Sequence, residues 1–447
     1  MAAVESIPEA ETSGVLQNRP FLFLWSAQVL SQTALNATIY ILLVLVEEWT
    51  GSSTALGLLI FSYIIPSVII GPAAGVFVDR WPKKTVLLAT NLLRVVIVAG
   101  FALLINNFLL VLAVNLTFSA VSQFFAPAEL AAIPAVVPRR QLIMANGLFN
   151  FTLSGAQLAG FVFVGPLLAK SFTSTTLFLL LSGTYGVCAI LIALMQIEEP
   201  ALVVRNSGRD RKEVGGYWLK LILEELKEGW RLLLRDASIS LSVIHLTVVN
   251  SLVLIIGMLS PGYVSRVLGI RADDAVYVMA PSGVGMLLGV VLLPRLIARW
   301  PKELIATSGV FLTAFGLVML GVVGLIGRFL IAVEFLTRVG SWSLPNATGP
   351  VLIVMGLALF LGLGYALVNV SAQTQVQERV PEELRGRVFA TQLAFSNAAA
   401  ILPLIFLGGL ADIIGISAVA LVAGAFVFGV ATYSALQSRR VGPAVPE

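Results

Sequence analysis

The sequence predicts an all-α membrane protein with twelve transmembrane helices in two pseudo-symmetric six-helix bundles. Of its 447 residues, 58% are hydrophobic and 12% are charged, a composition outside the range of ordinary soluble proteins. The apolar residues fall into twelve long stretches, and about 20 apolar residues suffice to cross a bilayer as a helix. A short basic sequence recurs in two corresponding loops, which indicates an internal repeat of six helices.

Six predicted spans precede a long polar interval and six follow it. The first six cover residues 21–47, 54–78, 85–106, 108–135, 142–169 and 174–196. The second six cover residues 239–264, 275–298, 304–326, 350–377, 388–411 and 413–436. This division predicts an N-terminal bundle over residues 1–196, a cytoplasmic linker over 197–238 and a C-terminal bundle over 239–447.

The internal repeat is visible in the short loops between spans. Arg80-Trp81-Pro82-Lys83 follows span 2, and the same four residue types run from Arg299 to Lys302 after span 8. A second pair of loops begins at Pro138 and Pro381. The second pair is more widely spaced than the first, so the second half carries an insertion. We assign that insertion to a long outer loop over residues 327–348.

The basic residues predict the orientation of the chain, because cytoplasmic loops retain Lys and Arg during insertion. With both termini in the cytoplasm, most of the 28 Lys and Arg residues lie inside. Arg94 lies within a predicted span. The basic residues left on the outer side are Lys170, Arg266, Arg271, Arg328 and Arg338. The sequence therefore predicts a multi-pass protein of the cell membrane with both termini cytoplasmic. The net charge of +4 reflects this orientation, and nucleic acid is not an expected partner.

Within the linker, apolar side chains recur at helical spacing from Leu219 to Leu234, between charged residues. This pattern predicts an amphipathic helix on the inner membrane surface. We expect that helix to tether the two halves, and the alternative is a regulatory or partner-binding role.

The loop Gly75-Val76-Phe77-Val78-Asp79-Arg80-Trp81-Pro82-Lys83-Lys84 resembles the loop between helices two and three of the major facilitator superfamily, with Pro82 where the common pattern has glycine. The segment from Phe124 to Gly147 and the sequence Arg385-Gly386-Arg387 are similar to the bacterial efflux branch, which includes macrolide, siderophore and lysophospholipid carriers. The resemblance covers nearly the whole chain. It implies a carrier that works by alternating access, and we expect a monomer without a cofactor.

The basic loop after span 2 is a candidate conformational latch. Asp79 ends span 2, and span 11 is predicted to start near Arg387, where a helix presents free backbone N–H groups. We expect Asp79 to accept hydrogen bonds from that helix end when the cavity faces outward, with Gly75 permitting close helix approach. The other predicted latch residues are Arg80, Lys83, Lys84, Arg385 and Gly386. The alternative is that these charges only orient the protein.

Polar side chains form stripes within several spans. Gln28, Gln32 and Asn36 recur at every fourth residue, which places them on one helix face. Because a polar group facing lipid is costly, we expect such stripes to line a neutral, hydrogen-bonding substrate cavity. The predicted cavity residues are Gln28, Gln32, Asn36, Asn150, Gln157, His245, Asn250, Asn369, Gln373 and Gln392. The alternative for each residue is a hydrogen bond that joins two helices.

Ionisable groups at membrane depth are few. Glu129 and Arg94 form a candidate proton site or charge pair, and His245 is the sole histidine, a side chain that changes charge near neutral pH. A structural role is the alternative for each. Gly155, Gly165 and Pro166 resemble the glycine-proline motif of the superfamily's antiporters, and proline predicts a kink there.

The sequence contains no combination of residues typical of an enzyme. One histidine, one cysteine and scattered carboxylates provide neither a nucleophile with its base nor a metal site, and no ATP-binding loop is present. We therefore predict a secondary transporter that exports an amphipathic small molecule in exchange for protons. The alternatives are a carrier or flippase for lysophospholipid-like lipids and a non-transporting membrane receptor. The expected partners are a small-molecule or lipid substrate, protons and membrane lipids.

Overall fold

The computed structural model describes residues 15–104, 107–197, 237–331, 349–380 and 382–441. Every regular element in these ranges is helical, as the sequence predicts. Ten helical segments are long and apolar enough to cross a membrane. The predicted amphipathic helix and residues 332–348 of the predicted outer loop lie outside the described ranges.

The helices follow one another with short connections. In the first half they are α1 (Arg19–Thr50), α2 (Ser53–Ile69), α3 (Gly71–Asp79), α4 (Lys83–Leu104), α5 (Phe108–Ser122), α6 (Phe125–Val136), α7 (Leu142–Leu158), α8 (Gly165–Ser171) and α9 (Ser174–Leu194). In the second half they are α10 (Ala237–Gly262), α11 (Ala275–Ile297), α12 (Lys302–Ile331), α13 (Gly349–Arg379), α14 (Glu382–Ile414) and α15 (Ile416–Val441). Two π-helical segments, Ala159–Val164 and Tyr263–Val267, precede α8 and follow α10.

Prolines explain why three predicted spans of the first half are interrupted. A proline lacks the backbone N–H and its ring crowds the carbonyl four residues earlier. Pro72 stands in the first turn of α3, directly after the break between α2 and α3. Pro127 stands in the first turn of α6, and Pro166 follows the π-helical segment Ala159–Val164. The kink predicted at Gly165 and Pro166 thus coincides with a change of helix type.

Two predicted boundaries are wrong. Helix α14 begins at Glu382 rather than near Arg387, so its first N–H groups lie more than a turn earlier than the sequence suggested. Helix α12 continues to Ile331, so residues 327–331 are helical and not part of the predicted outer loop. Both helices exceed their predicted spans because helices can extend beyond the apolar stretch that defines the span.

The chain divides into two compact units. Unit 1 comprises residues 1–38, 69–160 and 172–205, and unit 2 comprises 39–68, 161–171 and 206–447. Unit 2 therefore combines the end of α1, nearly all of α2 and α8 with the second half of the sequence. The domain boundaries predicted at 196 and 239 remain a sequence prediction.

Buried aliphatic and aromatic residues together form a core in unit 1. Phe21, Phe125 and Phe149 are each at most 2% exposed, and the rings of Phe21 and Phe149 lie 5.9 Å apart between centroids. The sole cysteine, Cys188, is buried with them, and its thiol donates to the carbonyl of Ala27 over 3.5 Å. These contacts fit a packing role for Cys188.

Glycines bring the helices of unit 2 into backbone contact. A Cβ on Gly285 of α11 would lie 1.9 Å from the carbonyl oxygen of Leu359, and one on Gly362 of α13 would lie 1.8 Å from that of Ser282. Side chains at these positions would force α11 and α13 apart. Small residues at helix contacts are typical of membrane proteins, where close van der Waals packing replaces the hydrophobic effect.

Gly160 in the π-helical segment Ala159–Val164 packs tightly against α1. A Cβ on Gly160 would lie 2.4 Å from the carbonyl oxygen of Thr33 and 2.7 Å from the Cβ of Asn36. We expect Gly160→Ala to destabilise the protein by about 1–3 kcal/mol, because backbone must move to admit the methyl group. The matched control is Gly155→Ala, where a Cβ would meet no described atom within 4 Å and alanine is the better helix former. Thermal unfolding in detergent should lower Tm for the first variant only; equal Tm values would contradict the tight contact.

Candidate functional site

A buried guanidinium occupies the middle of unit 1. Arg94 on α4 is 1% exposed, and it donates to Ser31 Oγ over 2.9 Å and to Ser122 Oγ over 3.1 Å. Its Cζ lies 4.5 Å from the ring centroid of Phe125 and 5.6 Å from that of Tyr185. Hydrogen bonds and aromatic faces together stabilise a charge that would be costly in isolation.

Glu129 on α6 is the carboxylate associated with this charge. Its side chain is 2% exposed, and the positive charge of Arg94 acts on the carboxylate electrostatically. Oε1 of Glu129 accepts no hydrogen bond from the described residues, and the same holds for Oε1 of Gln28. The structure thus brings the two sequence-predicted ionisable residues into one buried polar region, in which an acceptor remains open to a proton or water.

The polar stripe on α1 has mixed surroundings. Gln28 is buried and donates to the carbonyl of Phe149 over 3.4 Å, so it joins α1 to α7. Gln32 and Asn36 are half-buried, and Asn36 donates to the Gln32 carbonyl over 2.8 Å. The side chains of Asn150 and Gln157, also predicted cavity residues, lie outside the described part of the chain.

In unit 2, the predicted cavity residues His245 and Gln392 are buried and form hydrogen bonds within the protein. His245 is buried on α10, and its Nε2 lies 2.8 Å from Ser434 Oγ on α15. Gln392 donates to Ser396 over 2.9 Å, and Ser396 lies 3.1 Å from Thr247 on α10. These contacts favour the alternative interpretation of His245, in which it holds two helices together, whereas the bond of Gln392 lies within α14.

Helix α13 carries a polar face that is more open. Asn369 donates to Tyr365 Oη over 3.4 Å, and Gln373 donates to Asn369 Oδ1 over 3.0 Å. Asn369 is half-buried and Gln373 is exposed, and Asn250 on α10 is half-buried as well. The bonds along α13 leave further donors and acceptors for a ligand, since each amide can form several hydrogen bonds.

The lysines of the basic loop bind helix ends within unit 1. Lys83 Nζ donates to the carbonyl of Val78 over 2.9 Å, at the end of α3. Lys84 Nζ donates to the carbonyls of Ala193 and Met195, both over 2.8 Å, at the end of α9. Cations at a helix C-terminus are favoured because they satisfy its last carbonyl groups. A structural role for Lys83 and Lys84 follows.

The remainder of the predicted latch is not described in side-chain detail. Arg80 is exposed, and the side chains of Asp79, Arg385, Gly386 and Arg387 lie outside the described residues. A Cβ on Gly75 would meet no described atom within 4 Å. Close helix packing at Gly75 is therefore not found among the described residues.

A cluster of charged residues in unit 2 was not anticipated from the sequence. The guanidinium of Arg266 contacts Glu47 through Nε at 3.1 Å and Nη2 at 3.3 Å, and Asp412 through Nη1 at 3.2 Å. Asp412 also accepts hydrogen bonds from the start of α2. The sequence showed only charges at separate span ends. The sequence signal for this cluster was the acidic end of span 1, which is followed by Ser52-Ser53-Thr54.

The ten membrane-length helices define the class of protein as a multi-pass membrane protein, and the described part of the chain contains no group of three or more potential metal ligands. The sequence profile of the Major Facilitator Superfamily matches residues 24–402. The chain belongs to this superfamily, whose members are transporters for small molecules and not enzymes.

Relatives in sequence include efflux proteins. The chain is 23% identical over 424 residues to macrolide efflux protein A of Streptococcus pyogenes, covering 92% of this chain and 94% of that protein. It is 24% identical over 388 residues to the multidrug efflux pump Tap of Mycobacterium tuberculosis, with 84% and 83% covered. An MFS-type transporter of Bacillus subtilis is 24% identical over 381 residues, with 83% and 81% covered.

Solved structures with the same fold include several transporters. The nucleoside transporter NupG superposes with a TM-score of 0.69 at 11% identity, covering 93% of this chain and 98% of that one. A bacterial homologue of the human lysosomal transporter Spinster gives a TM-score of 0.66 at 14% identity, covering 95% and 98%. At these identities the likeness concerns the fold alone.

The buried charges of unit 1 predict a compensating pair of mutations. Arg94→Met should destabilise the protein by about 3–5 kcal/mol, because it leaves the Glu129 carboxylate buried without a positive charge. Adding Glu129→Gln should recover a large part of that loss. The measurement is Tm and yield of monodisperse protein for the two single variants and the double variant. Strictly additive effects would show that the two side chains do not interact.

Proposed function

We propose that this transporter exports an amphipathic small molecule in exchange for protons. The observation that carries the proposal is the buried carboxylate of Glu129, open at Oε1 and influenced by the charge of Arg94, in a chain whose relatives include efflux pumps. Such a carboxylate can alternate between a charged state stabilised by Arg94 and a neutral state that carries a proton. Ionisable groups with this property within membrane spans are typical of proton-coupled transporters.

In this proposal, the protein has twelve spans in two six-helix halves and both termini in the cytoplasm. The two halves open the cavity alternately to the two sides of the membrane. The ten membrane-length helices, together with the interrupted helices α2–α3 and α7–α8, are compatible with this number. The repeated basic loops support two related halves. Uptake of a proton from outside and its release inside would provide the energy for export.

The neutral character of the polar stripes supports an amphipathic substrate. The side chains on the open face of α13 and the half-buried amides of α1 carry no charge, so they can bind a substrate by hydrogen bonds without demanding an opposite charge. A strongly charged substrate would require a counter-charge, which these stripes do not provide.

Export can be tested with cells that overproduce the protein or its Glu129→Gln variant. We expect a compound enriched in the medium with the unaltered protein, reduced about tenfold or more by Glu129→Gln and abolished by a proton uncoupler. Untargeted mass spectrometry of the medium and of the membrane lipids measures both possible cargo types. Glu378→Gln is the matched control, since it removes an exposed carboxylate that pairs with Lys302 at the surface.

The outcomes distinguish the candidate functions. Export that persists with Glu129→Gln and uncoupler contradicts proton coupling through this residue. A change confined to membrane lipids supports a lipid carrier instead. No difference in medium or lipids, with the protein present in the membrane, supports a receptor that does not transport.

We also propose that Asp79 stabilises the outward-facing state by binding the N-terminus of the predicted span 11. Asp79→Asn should reduce the modification rate of a cysteine introduced into the outer cavity by about two- to fivefold, the range expected when one charge at a helix end is lost. Asp79→Glu, which keeps the charge, is the control. An equal modification rate in all three proteins would refute the latch.

A further inference from the structure

The charged cluster of unit 2 joins residues from both halves of the sequence. Glu47 and residues 52–54 belong to the first half, and Arg266 and Asp412 belong to the second. We propose that this outer cluster is a reversible latch that holds the ends of α1 and α2 against α10 and α14 on the outer side of the membrane. The proposal rests on the proposed alternating access and orientation, because only then must the latch open in every cycle.

Asp412 caps the N-terminus of α2. Its carboxylate accepts hydrogen bonds from the backbone N–H of Ser53 over 2.7 Å and of Thr54 over 2.9 Å. The hydroxyls of Ser52 and Thr54 add bonds of 2.8 Å and 2.7 Å. The first N–H groups of a helix lack partners within it and carry a partial positive charge. A carboxylate from α14 thus satisfies groups that the first half of the chain leaves open.

Glycines allow α14 to approach α2 closely enough for this contact. A Cβ on Gly408 would lie 2.8 Å from the carbonyl oxygen of Ser53, and one on Gly57 would lie 3.0 Å from that of Leu404. Leu404, Gly408 and Asp412 recur at every fourth residue, so they share one face of α14. The contact is therefore a continuous helix interface that ends in a charged cap.

Arg266 joins the two carboxylates of the cluster. It lies in the π-helical segment Tyr263–Val267, and π-helical turns are frequent at functional sites. Besides Glu47 and Asp412, it donates to Ser53 Oγ over 2.6 Å. A Cβ on Gly262 would lie 2.4 Å from Arg266 Nη2, so the glycine leaves the space that the guanidinium occupies.

The position of the cluster suits a contact that opens and closes. The side chains of Arg266 and Asp412 remain 31% and 26% exposed, so water can replace their bonds on separation. The Glu47 side chain is 3% exposed, and its charge would be costly if Arg266 left while it stayed buried. Opening of the outer side would hydrate Glu47 at the moment when its partner departs. A permanent, dry ion pair would not have this property.

A second ion pair in unit 2 also joins the two halves of the sequence. Lys170 at the end of α8 forms an ion pair with Asp274, next to α11, and its Nζ lies 4.2 Å from the ring centroid of Tyr277. The predicted spans 5 and 8 are thereby joined as spans 2 and 11 are. The outer cluster and the Lys170–Asp274 ion pair both lie at predicted outer ends of spans. Both contacts would therefore hold the outer side closed.

The latch can be tested without any substrate by measuring a distance. Spin labels are placed at Thr175 of α9 and Leu325 of α12, both exposed, in a Cys188→Ser background. Pulsed electron paramagnetic resonance then gives the distance distribution in lipid nanodiscs. For Asp412→Asn combined with Glu47→Gln, and independently for Arg266→Gln, we expect the ratio of the longer to the shorter distance to rise on the order of tenfold. Glu378→Gln, an ion-pair variant confined to the second half, should leave the distribution unchanged.

Unchanged distances in the Asp412/Glu47 and Arg266 variants, with both proteins monodisperse and bound to the nanodisc, would overturn the latch and identify the cluster as fixed packing. An equal shift in the Glu378 control would also overturn it, because the effect would then be general. Since no cargo is needed, a failure of the proposed proton-coupled export leaves this result valid. Conversely, a failed latch leaves the export experiment unaffected.

Discussion

The structure depends on one constraint: hydrocarbon offers no hydrogen-bond partners, so polar groups within the spans must find them inside the protein. Helices satisfy the backbone, and the side chains follow the same rule. Arg94 is partnered by Ser31 and Ser122, and His245 by Ser434. Where the rule is left unfulfilled, as at Oε1 of Glu129, the molecule has an acceptor available for chemistry. The same constraint thus provides both stability and a candidate proton site.

At helix ends and interruptions, backbone groups lack partners within the helix, and side chains from elsewhere in the protein bind them. Lys83 and Lys84 satisfy the final carbonyl groups of α3 and α9, while Asp412 satisfies the first N–H groups of α2. Prolines and π-helical segments free further backbone groups within the membrane, where neighbouring side chains can bind them. Cations at C-termini and a carboxylate at an N-terminus follow the direction of the helix dipole. Charge and backbone geometry therefore agree at the ends of α2, α3 and α9.

The two units differ in where their charged side chains lie and in which residues pack around them. In unit 1 two aromatic rings and two serine hydroxyls contact the buried guanidinium of Arg94, so this charge lies in a buried polar region. In unit 2 glycines bring helix backbones together, and the charges lie at the partly exposed ends of the helices. The buried carboxylate of Glu129, on which the charge of Arg94 acts, is the candidate group for holding and releasing a proton. At the helix ends of unit 2, water can reach the partly exposed side chains of Arg266 and Asp412.

The sequence by itself determined the helical fold, the approximate spans and the transporter family, because hydrophobic length and loop charge are local properties of the chain. It also singled out Arg94 and Glu129, since ionisable residues are rare at membrane depth. Only the tertiary structure decided that Glu47, Arg266 and Asp412 meet, because they are far apart in sequence and each is unremarkable alone. It likewise showed that His245 bonds to Ser434. Partners of a polar side chain depend on which helices pack together, and periodicity within one helix does not contain that information.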